Sequence, residues 1–158
     1  MTGPNPDLKR YAIVATSLIL AAIFTYAGLD KLRDPLQFAD SVAAFGILPA
    51  AVVTLFTLSV PPFEILCGVL MLTPQFRRVA ALALTLLAAM FFAALTSGLF
   101  RGLTLDCGCF GAGAPSRPRM WLEAGLDVLL FAAALFVYLR SPVRSQTTNS
   151  AERLSIGH

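Results

Sequence analysis

Cys107 and Cys109 stand one glycine apart in the stretch LDCGCFGAG, and two acids, Glu64 and Asp127, interrupt otherwise apolar runs. These are the residues whose types and spacing could do chemistry. A disulfide across Gly108 would close a tight ring of poor geometry, which makes such a bond easy to reduce. It would constrain almost none of the unfolded chain, so it would be a weak staple. Strained, exposed disulfides are the labile or catalytic ones. Gly108 lets the backbone fold enough to bring the sulfurs together, and Gly111 and Gly113 keep the loop mobile. The pair therefore points to thiol–disulfide exchange, with two unremarkable surface thiols as the alternative. Asp106 reads as a loop-shaping residue. No metal is expected: zinc wants four ligands, commonly from separated pairs, whereas the chain has only Cys67 and the distant His158 to add.

A carboxylate near the bilayer midplane is expensive and usually faces the bundle interior or a water path. Glu64 follows Pro61 and Pro62, which remove helical N–H donors and free backbone carbonyls. At about 1.5 Å of rise per residue, Glu64 and Asp127 come within about 7 Å of each other in depth. Exchange between thiols and disulfides needs a thiolate, so protons must be taken up and released. Glu64 and Asp127 are candidate proton sites on this basis. The alternative is a pair of neutral, hydrogen-bonded acids that holds helices together. Cys67, three residues after Glu64, reads as a small buried hydrophobe.

Composition says where these residues are held. Of the 158 residues, 57% are hydrophobic and 13% charged, and mean hydropathy is +0.75. Soluble domains carry about 25% charged residues, so this surface must face lipid. The net charge of +3 comes from basic residues beside apolar runs, without a basic patch interleaved with aromatics, which argues against nucleic acid.

The expected architecture is all-α, an integral membrane four-helix bundle with a short amphipathic interfacial helix after the first span. The spans are predicted at about 11–29, 50–72, 79–100 and 120–139, near the ~20 residues a crossing needs. Residues 1–10 form a tail, 101–118 the cysteine loop and 140–158 a polar, disordered tail. The first run exceeds the apolar length of about 7–15 residues usual in a signal peptide, so it reads as a retained helix. Pro35 begins the interfacial segment, Leu36, Phe38, Ala39, Val42, Ala43, Phe45 and Gly46 give it a loosely apolar face and Pro49 ends it, the alternative being that it is simply the start of the second helix. In the fourth span, ten Leu, Ile, Val and Phe residues offset Glu123 and Asp127. Trp121 suits an interface belt, and the alanines with Gly28, Gly68, Gly98 and Gly125 suit close helix packing in lipid.

Four spans put both termini and the 73–78 turn on one side. That side holds seven basic residues (Lys9, Arg10, Arg77, Arg78, Arg140, Arg144 and Arg153), against five on the other. The positive-inside rule places the termini in the cytoplasm and the cysteine loop on the outer side of the membrane, in an oxidising compartment.

The motif LDCGCFG after a third span, the junction AGLDKLRDPLQF and the segment LPAAVVTLFTLSVPPFEILCGVLMLTP resemble the MauE family of methylamine-utilisation proteins, within the wider DoxX-like membrane proteins. The resemblance covers roughly residues 10 to 140. It implies a four-helix membrane bundle linked to disulfide formation in an exported partner, beside a thioredoxin-like protein. By position, Cys107 and Cys109 match the family's cysteine pair, with Phe110 and Gly111 completing the motif. Glu64 matches its acid in the second span, and Lys31 and Pro35 match a junction given structural meaning only. Analogy with other four-helix disulfide-forming membrane enzymes leaves room for a quinone between the helices. Three functions compete: a thiol–disulfide oxidoreductase or relay serving an exported thioredoxin-like partner, a non-catalytic membrane assembly factor or scaffold, and a small subunit of a quinone-linked oxidase. Membrane lipid is a partner in each, and a homo-oligomer is compatible with all three.

Overall fold

The computed structural model describes residues 6–103 and 117–141. It holds five helices: α1 (Pro6–Arg33), α2 (Pro35–Ala44), α3 (Ala50–Leu72), α4 (Arg77–Phe100) and α5 (Arg117–Arg140). No strand occurs among the described residues. All but α2 are long and apolar enough to cross a membrane. The all-α bundle with a short helix after the first span is thus the architecture that composition and hydropathy imply. Outward-facing Leu55, Leu58, Leu86 and Leu129 are all well exposed. In water such a surface would be a liability; against lipid tails it is the required one.

α1 packs most extensively on α3, and α4 on α5. The α1–α3 seam is close because each helix offers a glycine to the other. A Cβ on Gly28 would come 2.7 Å from the Pro61 carbonyl oxygen and 3.2 Å from Glu64 Cβ. A Cβ on Gly68 would come 3.1 Å from the Ala21 carbonyl oxygen and 2.6 Å from Thr25 Oγ1. Lipid tails are as apolar as the helices, so dispersion at close backbone approach has to hold such seams together.

Helix α3 runs unbroken through Pro61 and Pro62. The missing N–H groups leave the Thr57 and Leu58 carbonyls without helical donors, which membrane helices tolerate when neighbours pack around them. The junction before α3 is tightly specified. The Asp34 carboxylate accepts from the Gln37 N–H at 3.0 Å, Pro35 follows in the first turn, and Phe38 is buried. Side-chain capping and a proline at the first helical position both favour initiation there. Gly46, at φ +61°, turns the chain out of α2, a conformation other residues resist. Arg101 Nη1 donates to the Phe45 carbonyl at 2.6 Å and ties this turn to the end of α4.

Candidate functional site

α1 continues past its charge-free run to Arg33 and so carries Lys31 into the bundle. The Lys31 ammonium donates to both Glu64 carboxylate oxygens, at 2.9 Å to Oε2 and 3.1 Å to Oε1. Their side chains are 1% and 2% exposed. The Lys31 ammonium also faces two aromatic rings, at 5.6 Å from the Phe38 centroid and 5.4 Å from that of Phe91. A ring face offers a cation partial negative charge where water is excluded. Helices α1, α2, α3 and α4 therefore all contribute to one buried charge.

Asp127 approaches the same place from α5. It is 5% exposed, and its Oδ2 has no hydrogen-bond partner among the described residues. Lys31, Glu64 and Asp127 line one cavity of about 20 Å³, closed by Phe24, Ala27, Ala88 and Phe91. One turn earlier on α5, Glu123 Oε1 accepts from Arg119 Nε at 3.0 Å, while its Oε2 is buried without a partner among the described residues. Spacing of four residues puts Glu123 and Asp127 on one helix face.

Depth reasoning pairs Glu64 with Asp127, and both line the cavity. Lys31 is the member that reading the junction as purely structural misses. An acid in a span implies a buried counter-charge, and Lys31 lies three residues beyond the glycine that lets α1 approach α3. Cys67 is buried in the main apolar cluster with Met71 and Leu84, consistent with a packing role. Cys107, Cys109, Phe110 and Gly111 lie outside the described residues.

A separate apolar groove of about 610 Å³ lies between α2, α3 and α4, lined by Val42, Phe45, Phe56, Met90 and Phe91 among others. Phe91 thus faces both the groove and the buried lysine.

The arrangement can neutralise charge inside an apolar bundle, and its parts lie on elements that extend over most of the chain. The comparisons cover a similar extent. The family model described as methylamine utilisation protein MauE matches residues 9–140. The chain is 33% identical over 153 residues to the methylamine utilization protein MauE of Paracoccus denitrificans, covering 95% of this chain and 82% of that one. It is 32% identical over 132 residues to the protein of the same name from Methylophilus methylotrophus, covering 83% of this chain. The match spans 65% of the length of that second relative. No solved structure matches the chain.

Proposed function

The chain belongs to the MauE family, whose members matched here are methylamine utilization proteins, and from that premise we propose that it is a multi-pass membrane thiol–disulfide redox protein. Cys107 and Cys109 are its reacting pair, on the segment joining the third and fourth spans. Their partner is an exported thioredoxin-like protein, and their purpose is disulfide formation or maturation in a protein of methylamine utilisation. In the oxidising direction, a partner thiolate attacks one sulfur of the Cys107–Cys109 disulfide and a mixed disulfide forms. The partner's second thiol resolves it. The partner leaves with a disulfide, and Cys107 and Cys109 are left as thiols, having taken up two electrons and two protons.

The observation that carries this reading is the Cys-Gly-Cys spacing between two spans. A bridge across one residue is a poor staple and a good oxidant. Glu64 and Asp127 are the candidate proton sites, where a carboxyl group can hold a proton that thiol chemistry releases or consumes. Reoxidation needs an acceptor. A bilayer quinone is the chemical class that fits, because the groove between α2, α3 and α4 is apolar enough for an isoprenoid tail. The weight of basic residues on the terminal side supports cytoplasmic termini and a cysteine segment outside the plasma membrane of a bacterium.

The test is replacement of both cysteines by serine. The Cys107→Ser/Cys109→Ser variant should insert normally yet leave the partner's thiols reduced in intact cells. A variant that supports full oxidation of the partner would leave the scaffold reading in its place.

A further inference from the structure

We propose that Lys31, Glu64 and Asp127, which line one small buried cavity, form a site that holds one exchangeable proton. This deepens the reading of Glu64 and Asp127 as proton sites and does not depend on the cysteine chemistry.

Charge balance comes first. Lys31 pairs with Glu64 and Arg119 with Glu123. Asp127 is a third carboxyl group in the same half of the bundle, within electrostatic range of Glu64, Glu123 and Lys31. Among the described residues around the cavity, two cations and three carboxylates leave one negative charge. An uncompensated carboxylate in an apolar interior is very costly. One proton removes that cost.

Geometry comes second. The Asp127 side chain is almost fully buried, with Oδ2 unpartnered among the described residues, and Asp127 lines the cavity. The cavity is small, about 20 Å³, and apart from Lys31, Glu64 and Asp127 its lining is apolar.

A metal cation fits the cavity poorly. Hard cations take about six or more oxygen ligands. Beyond the two acids the wall is Ile23, Phe24, Ala27, Ala88, Phe91 and Leu130, and the Lys31 ammonium repels a second cation. The groups facing the site from each element are few. α1 gives Lys31, α3 gives Glu64 and, one turn on, Cys67, and α5 gives Asp127 and the Arg119–Glu123 pair. α4 gives Ala88 and Phe91, and α2 the Phe38 ring, none of which titrates.

Infrared difference spectra of the full chain in lipid vesicles, stepped through pH in H2O and in D2O, read the carbonyl stretch of a protonated carboxyl group. We expect one pH-dependent band that shifts in D2O and ignores Na+ at fixed pH. Asp127→Asn should abolish it, and Lys31→Arg should keep it with a displaced midpoint. The Cys107→Ser/Cys109→Ser variant should retain it, so the band survives even if the redox reading fails. The proposal is overturned by a spectrum without a titrating carboxyl band, by a band that moves with Na+, by one that survives Asp127→Asn, or by one lost with the cysteines. Should Asp127→Asn fail to fold, the D2O and Na+ responses of the unaltered protein still decide.

Discussion

Lys31 on α1 and Glu64 on α3 close a salt bridge of 2.9 Å whose two side chains are 1% and 2% exposed. Dehydrating two charges costs several kcal/mol per ion, and their attraction offsets this only with good geometry and further partners. Here the lysine bonds both carboxylate oxygens and faces two aromatic rings. We attribute to the pair the register of α1 against α3, since a one-residue slip would strand both charges in the apolar core.

Breaking the pair from one side should therefore hurt more than removing it whole. Lys31→Met alone should destabilise the protein by about 3–5 kcal/mol, because Glu64 is left buried and unpaired. Lys31→Met combined with Glu64→Leu should recover much of that loss. Unfolding in mixed detergent micelles measures both, and a Lys31→Met protein as stable as the original would contradict the assignment.

The approach of α1 to α3 depends on Gly28. Its α-carbon faces the Pro61 carbonyl, with the Glu64 β-carbon beside it. Gly28→Ala should push the helices apart at the ion pair and cost about 1–3 kcal/mol, the range for overpacking a tight interior. The same unfolding assay checks this, with Gly125→Ala as control, since nothing lies within 4 Å of a Cβ placed there.

Hydropathy makes the four long helices legible because a lipid-facing helix must be apolar over about 20 residues, whatever it packs against. Pro35 and Asp34 mark the start of α2 for an equally local reason. Glu64 and Asp127 stand out because an acid in a span is rare enough to need a reason. Lys31 does not, because it lies beyond the charge-free run and resembles a flanking lysine at the interface. Only the extension of α1 to Arg33 and its close approach to α3 at Gly28 bring that side chain inside. Such facts belong to tertiary packing, which local pattern does not encode. The pairing of Glu123 with Arg119 was legible in principle from their spacing of four.

Cys67 packs in the main apolar cluster, to which all five helices contribute. Cys67→Ala should cost about 1 kcal/mol, the scale of one buried methylene, and leave thiol exchange with the partner unchanged. Micelle unfolding reads the first and the redox state of the partner the second. A loss of exchange in Cys67→Ala would bring this thiol into the chemistry.

Labelling of Cys107 and Cys109 with a membrane-impermeant maleimide in intact cells, in a Cys67→Ala background, tests the redox account most directly. Labelled residues are mapped before and after mild reduction. A reducible disulfide facing the outer compartment predicts label at both cysteines only after reduction. Label before reduction that the reductant does not increase, or no label under either condition, would contradict it.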